Sequence, residues 1–382
     1  MKEWGGMSAG HVLVACDKFK GSLTADEVLA HIEQGLLRAD PDREVRTVVV
    51  ADGGDGTLAA AFSAGFDRVP VTVEGPTGEP VETAYAVKDG TAVVEMADAC
   101  GLVRLPNREL APLTASSRGA GQVLAAALEA GVQRIVFGVG GSASTDGGAG
   151  LLQALGARLL DAQGNEVAVG GGPLGQLARI DLDDLHPRLR DVQLTLASDV
   201  NNPLLGDQGA VAIFAPQKGA DAAQQEQLEA ALTTFSDLVT AAVGRDDTQR
   251  PGAGAAGGVG YAAMAALGAD MRPGIELMLD LTGFDAMLPG ATLVVTGEGS
   301  LDEQTLLGKA PAGVAAAARA QGIPVVAVCG RSLLTAQQAA DSGIEQVYAL
   351  TDLEPDPSVC MRDAGRLLTD LAERVGREHP RG

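Results

Sequence analysis

Apolar and polar positions near both ends of the chain follow a β-α-β pattern. The apolar run at residues 11–16 predicts a buried strand, and the run at 45–50 predicts a second one. Between them, Thr24-Ala-Asp-Glu27 has the capping-box pattern of a helix start, and apolar residues follow it at helical spacing. The alternation returns near the C-terminus, with strands predicted at 292–295, 325–328 and 346–350 and helices at 310–320 and 357–377.

The middle of the chain is different, because its apolar segments are short and are separated by turn signals. Strands are predicted at 69–73, 81–87, 91–96, 134–137, 192–197 and 210–214, and helices at 119–130 and 221–243. We therefore predict an α/β fold with two domains. Residues 1–68 and 288–382 would form a doubly wound parallel-sheet domain, and residues 69–287 would form a mixed α/β domain inserted into it.

The composition limits where the protein works and what it binds. The net charge of −22 argues against nucleic acid and anionic membrane surfaces as partners. Residues 1–10 lack the apolar core of a signal peptide, and the longest uncharged run, 251–269, is too weakly apolar to span a membrane. Four dispersed cysteines without a CxxC motif are typical of reduced thiols, so we expect a cytoplasmic protein.

Histidine chemistry is a weak candidate for this chain. It has four histidines, none with metal-ligand spacing to another, and it contains no GxSxG nucleophile motif. If the protein is an enzyme, we expect carboxylates to carry its acid–base chemistry.

Several loops that follow predicted strands share glycines, small hydroxyls, carboxylates and lysines. Ligands of open α/β sheets bind where strands end, so these loops are the candidate site. They are residues 17–22, 52–57, 138–148, 198–203 and 296–305, with Lys309 shortly after the last. The lysines of the first loop lie before a predicted helix and indicate an anion site. The aspartates of the second could hold Mg²⁺ or accept a proton, and the third has the composition of a phosphate cradle.

This composition, poor in histidine, fits phosphoryl transfer, which needs positioning, Mg²⁺, cations on the phosphates and a base. Known kinase signatures are absent, since Glu303 and Ala310 break the P-loop pattern. Two alternatives stay open. A dinucleotide-binding enzyme is suggested by the GxGxxG-type patterns at 138–143, with Asp161 downstream, and at 252–257. A metabolite-binding protein without catalysis is the other, although the carboxylates in the loops argue against it.

Five of these motifs, in order, resemble those of the bacterial glycerate kinase type 1 family. They are DKFKGS at 17–22, ADGGDGT at 51–57, GGSASTDGG at 140–148, SDVNNP at 198–203 and TGEGSLD at 296–302. The resemblance covers nearly the whole chain, from about residue 11 to the last predicted helix, while residues 1–8 look like an extension with Met7 as an alternative start.

The resemblance implies an ATP-dependent, Mg²⁺-requiring kinase that phosphorylates D-glycerate. It implies a Rossmann-like domain with a second domain inserted and a site in the cleft between them. We expect phosphate at the 2-hydroxyl, giving 2-phosphoglycerate. A 3-phosphoglycerate-forming kinase is the first alternative and a dinucleotide-binding oxidoreductase a more remote one. The partners would be glycerate and ATP, related sugar acids stay open as substrates, and a homodimer is kept as an expectation.

The resemblance also suggests roles for the residues in these motifs. Asp199 is the expected base on the attacking hydroxyl, with Asp146 second, and Lys18, with Lys20 and Ser22, would hold the glycerate carboxylate or the transferring phosphoryl. Mg²⁺ would bind at Asp52, Asp55 or Glu298. The expected phosphate-binding residues are Gly53, Gly54, Gly140, Gly141, Ser142, Thr145 and Gly147, with charge neutralisation from Lys309.

Overall fold

Residues 10–303 and 305–381 are described by a computed structural model of the chain, so the signal-peptide and extension predictions fall on residues that lie largely outside it. The strands in this part of the chain are β1 (His11–Cys16), β2 (Val45–Val49), β3 (Asp67–Glu74), β4 (Pro80–Lys88), β5 (Thr91–Glu95), β6 (Arg134–Gly138), β7 (Arg158–Asp161), β8 (Leu177–Asp181), β9 (Gln193–Ala197), β10 (Asp270–Arg272), β11 (Ala291–Leu301), β12 (Val325–Ser332) and β13 (Gln346–Ala349). The α-helices are α1 (Ala25–Ala39), α2 (Thr57–Ser63), α3 (Met96–Cys100), α4 (Arg118–Glu129), α5 (Ala149–Ala154), α6 (Ala210–Phe214), α7 (Ala222–Val243), α8 (Ala255–Ala265), α9 (Gly274–Thr282), α10 (Phe284–Met287), α11 (Ala310–Ala320), α12 (Ala336–Asp341), α13 (Pro357–Arg362) and α14 (Ala364–Glu378).

The chain divides into two compact units. Unit 1 contains Met1–Asp52, Ala59–Ala64 and Met278–Gly382, and unit 2 contains Gly53–Leu58 and Gly65–Leu277. The sequence predicts the joins between the two domains near residues 68 and 288.

Unit 1 is built on a five-stranded sheet in the order β13-β12-β11-β1-β2, and all four pairings are parallel. Strand β1 and the first five residues of β12 are buried and almost entirely apolar, which is typical of a parallel sheet covered on both faces. Helix α1 begins with the predicted capping box, in which Thr24 and Glu27 bond each other's backbone N–H groups. Helices α1 and α14 approach closely at Gly35, where a Cβ would lie 2.3 Å from the Thr369 carbonyl oxygen.

Unit 2 is built on a mixed six-stranded sheet in the order β10-β9-β6-β5-β4-β3. The pairings from β10 to β5 are parallel, and those of β4 with β5 and with β3 are antiparallel. The long helix α7 follows the N-cap Asp221 and buries Leu228, Leu232, Phe235 and Val239. These are four of the five residues of its predicted apolar stripe, and the fifth, Ala242, is exposed. Both units combine parallel strands with helices, so the predicted α/β class is confirmed.

Two predicted elements differ from the structure. Residues 210–214 form helix α6 instead of a strand, because a five-residue apolar run has no periodicity that separates the two. The predicted closing helix is divided at Asp363 into α13 and α14. No helix within residues 10–303 and 305–381 is long and apolar enough to cross a membrane.

Candidate active site

Three carboxylates of unit 1 lie at or near the carboxyl ends of neighbouring strands of its parallel sheet. Asp17 comes directly after β1, Asp52 lies just beyond β2, and Glu298 is near the carboxyl end of β11. Burial, together with the charges of Asp52 and Glu298, raises the pKa of Asp17 to about 7, although the Lys18 N–H donates to Asp17 Oδ1 at 2.7 Å. The sheet order therefore brings these carboxylates within electrostatic range of one another.

Glu298 is half-buried and lies in a polar network with the loop that follows it. Its Oε1 accepts from Thr305 Oγ1 at 2.5 Å, and the Thr305 N–H donates to Asp302. Burial raises the pKa of Glu298, the charges of Asp52 and Asp302 add to this, and Lys309 opposes it. The structure thus brings the predicted residues Asp52, Glu298 and Lys309 together in one unit.

The first loop leads into the capping box of α1. Two N–H groups take part in this capping box, because the Thr24 N–H donates to Glu27 Oε2 at 2.8 Å and the Glu27 N–H donates to Thr24 Oγ1 at 3.3 Å. The Ser22 hydroxyl donates to the Phe19 carbonyl at 3.1 Å within the turn. The anion site at this helix start stays a prediction. The anion-binding argument for this loop rests on Lys18, whose charge acts on Asp17, and on the exposed Lys20.

The second and third loops lie against each other within unit 2. The Gly140 N–H donates to the Gly53 carbonyl at 3.4 Å. A Cβ on Gly140 would lie 2.5 Å from Gly54 Cα, and one on Gly53 would lie 2.8 Å from the Ala197 carbonyl oxygen. Only glycine permits backbones this close, so Gly140 is needed for the contact between the loops and Gly53 for the contact with the end of β9.

Glu95, at the end of β5, organises the second loop. Its two carboxylate oxygens accept the N–H groups of Gly56 and Leu58, at 3.2 and 2.9 Å. Burial raises the pKa of Glu95 to about 7, opposed by these two hydrogen bonds and assisted by the charge of Asp55. Sequence reasoning missed this residue, because its loop partners are 39 and 37 positions away.

The folded-state pKa of Glu95 makes stability depend on pH. It lies above the ordinary glutamate value of about 4.5, so between pH 4.5 and 7 the folded state binds more protons than the unfolded state. The free energy of unfolding should therefore fall as pH rises through this window. We expect wild type to lose on the order of 2–3 kcal/mol relative to Glu95→Gln between pH 4.5 and 7.5. Urea unfolding at several pH values checks this, with the exposed Glu226→Gln as control. Parallel curves for wild type and Glu95→Gln would contradict it.

Asp146 is the internal anchor of the third loop. It is fully buried, and its Oδ2 accepts from the Ser117 N–H and hydroxyl, both at 2.8 Å. Its oxygens also accept the N–H groups of Gly148 and Gly150 at 3.1 and 3.3 Å. Four bonds within the protein favour an organising role for this carboxylate.

The hydroxyls of the third loop are inside the protein. Ser142 Oγ accepts from Lys218 Nζ at 2.8 Å, while Ser144 Oγ and Thr145 Oγ1 are buried without a hydrogen-bond partner among the described residues. The positive φ angles of Gly141 and Gly147, 74° and 65°, turn the backbone of the loop. Helix α5 starts only at Ala149, so residues 138–143 lack the helix that a dinucleotide fingerprint requires at that point.

Asp199 follows β9 and is half-buried. Its Oδ1 accepts the Gly274 N–H at 3.0 Å at the start of α9. One carboxylate oxygen thus has a structural contact, in the way of a helix cap.

Comparisons with known proteins identify the family. The sequence profile of the glycerate kinase family matches residues 12–379. The chain belongs to the glycerate kinase family. It is 41% identical to a glycerate kinase of Bacillus subtilis, over 96% of both chains. It is 43% identical to the glycerate 2-kinase of Escherichia coli, over 89% of this chain and 90% of that one.

A solved structure supports the same assignment for this glycerate kinase family member. A Salmonella typhimurium LT2 protein with the provisional name glycerate kinase 2 matches with a TM-score of 0.84 and 41% identity, over 97% of this chain and 98% of that one. The predicted family and the prediction of a kinase are confirmed.

Proposed function

We propose that this protein transfers the γ-phosphoryl group of ATP to the 2-hydroxyl of D-glycerate, releasing 2-phosphoglycerate and ADP. The observation that carries the proposal is the family match over residues 12–379, together with the similarity to a glycerate 2-kinase. The loops with glycines, carboxylates and lysines at strand ends are the parts that phosphoryl transfer needs.

The acidic residues of unit 1 fit a Mg²⁺ ion that is bound jointly by protein carboxylates and substrate phosphates. No group of three His, Cys, Asp or Glu side chains in residues 10–303 and 305–381 is arranged to hold a metal ion by itself. Mg²⁺ commonly binds one or two carboxylates together with substrate phosphates, so three are not required. The mutual repulsion that helps to raise the pKa of Asp17 is what a cation would relieve. We assign Asp52 and Glu298 as ligands, with Asp55 as the alternative. When bound, the ion neutralises charge on the phosphates.

We assign the remaining roles by contact and charge. The backbone N–H groups of residues 140–148 would hold phosphates, with Gly53 and Gly54 allowing the neighbouring loop to lie against them. Lys18 would bind the glycerate carboxylate or the transferring phosphoryl, and Lys309 would neutralise charge beside Glu298. Asp199 would take the proton of the attacking hydroxyl, because the oxygens of Asp146 already accept four bonds.

The test of the function is ADP release that depends on D-glycerate. Purified protein with Mg·ATP and no acceptor should release ADP only at a low basal rate. Addition of D-glycerate should raise the rate of ADP release many-fold. Equal rates with and without D-glycerate, with tight NAD(H) binding, would favour the dinucleotide-binding alternative.

Lys18→Ala should weaken catalysis by removing the first-loop cation whose charge acts on Asp17. We expect kcat/KM for D-glycerate to fall by about 10- to 100-fold, the usual cost of one charged hydrogen-bonding partner. Steady-state kinetics check this, with Lys88→Ala, on strand β4, as the matched control. Unchanged kcat and KM would remove Lys18 from the site.

The compartment and the assembly are also proposed. All four cysteines are free and buried, which fits a reducing compartment, and we propose the cytoplasm. We also propose that the protein is a homodimer. A molar mass from light scattering of twice that of the chain would support this, and the mass of a single chain would contradict it.

A further inference from the structure

Lys218 is a buried lysine under the glycine loop at residues 140–148. It ends the short turn Pro216–Lys218 and is 3% exposed. Its Nζ donates to Ser142 Oγ at 2.8 Å and to the Ser144 carbonyl oxygen at 2.5 Å. Lysines are almost never buried unless they are paired, so this placement calls for a reason beyond packing.

The surroundings of Lys218 supply little compensating negative charge. Burial lowers the pKa of Lys218 to about 7, and Asp146 opposes the shift. Within the described part of the chain, Asp146 is the charged group that acts on this pKa, and its oxygens accept bonds from Ser117, Gly148 and Gly150. The two bonds that Lys218 donates equal the two N–H groups of a neutral amine, whereas an ammonium has three.

Two further polar groups of the same loop point to a missing partner. Ser144 Oγ and Thr145 Oγ1 are buried and accept or donate no hydrogen bond among the described residues. Buried polar groups are nearly always satisfied, so the partners of these two hydroxyls are expected to come from outside the protein chain. An anion with several acceptor oxygens, such as a phosphate, matches this set of donors.

We propose that Lys218 is a positioning residue of the phosphate-binding loop, and that it becomes an ammonium when the phosphates of the nucleotide lie on that loop. Lys218 acts through its hydrogen bonds to Ser142 and Ser144, which hold these residues in position, and through the attraction between its charge and the phosphates. The added proton comes from the buffer and binds the lone pair of Lys218 Nζ. The buffer loses the one positive charge that the amine gains. The proposal rests on the proposed function for the identity of the anion.

Calorimetry tests the charge change without any turnover. We expect wild type at pH 8 to take up a sizeable fraction of one proton when Mg·ATP binds, read from binding enthalpies in buffers of different ionisation enthalpy. Lys218→Met should take up markedly less, while the Lys88→Met control should match wild type. Equal proton uptake by wild type and Lys218→Met would overturn the proposal. A purely structural role of Lys218 would not alter this readout.

Kinetics test the positioning role. Lys218→Met should lower kcat/KM for ATP by about 10²-fold and change KM for D-glycerate little, because one preorganised donor group is lost. If Lys218→Met does not fold, Ser142→Ala replaces it as the test variant. This substitution removes the hydroxyl that accepts one Lys218 hydrogen bond and changes the size of the side chain little. We expect it to lower kcat/KM for ATP by about 10-fold. Unchanged ATP kinetics in the folded variant would overturn the proposal. Absence of glycerate-dependent ADP release in wild type would instead refute the proposed function, and the calorimetric test of Lys218 would still stand.

Discussion

Replacing Asp199 by asparagine is expected to lower kcat by about 10²- to 10⁴-fold, the usual contribution of a general base. Asparagine keeps the side-chain oxygen that accepts the Gly274 N–H at the start of α9, so the helix cap is retained. It removes the carboxylate that would take the proton of the attacking hydroxyl. The loss should therefore appear in kcat, with the fold unchanged by circular dichroism.

Asp221→Asn is the matched control for this experiment. Asp221 also caps a helix in unit 2, accepting the Gln224 N–H at 2.9 Å, but it has no proposed role in the reaction. Its kcat should equal that of wild type. Near wild-type kcat in Asp199→Asn would assign the base to another group.

Replacing Asp146 by alanine is expected to destabilise unit 2 by about 3–5 kcal/mol, the cost of removing one partner from a buried polar network. The change leaves the N–H groups of Ser117, Gly148 and Gly150 without their acceptor in a region that water does not reach. Urea unfolding followed by circular dichroism should show an earlier transition. Binding of Mg·ATP should weaken as well, because the loop loses its internal anchor.

Asp161→Ala is the control for the Asp146 prediction. Asp161 also accepts backbone N–H groups, from Gln163 and Asn165, but it does so in an exposed turn. Water can replace the carboxylate there, and we expect a change within about 1 kcal/mol. Equal destabilisation by the two substitutions would show that burial of Asp146 contributes nothing.

Much of the fold could be predicted because its signals are local. The capping box at Thr24 and Glu27, the apolar stripe of α7 and most strands of the parallel sheets are visible in short windows of sequence. The three-residue strand β10 was not predicted. The candidate loops could also be found, since strand ends in α/β sheets are where ligands bind. The error at 210–214 arose where a window was too short to carry a period.

The contacts that hold the loops could not be predicted, because they join residues far apart in the chain. Lys218 meets Ser142 across 76 positions, and Ser117 meets Asp146 across 29. Asp17 was within reach of sequence reasoning, since it adjoins Lys18, but only the sheet order shows that Asp52 and Glu298 act on it. The capping box at Thr24 and Glu27 uses two N–H groups at the start of α1, and the anion site there stays a prediction.

The most direct test of the account is the position of phosphate in the product. Protein, Mg·ATP and D-glycerate are incubated together, and the product is read by proton-coupled ³¹P NMR. We expect ADP and a phosphomonoester signal split into a doublet by the single proton on C2, as in 2-phosphoglycerate. A triplet from the two protons on C3 would contradict the assignment to the 2-hydroxyl, and the absence of any glycerate-dependent phosphomonoester would contradict the kinase itself.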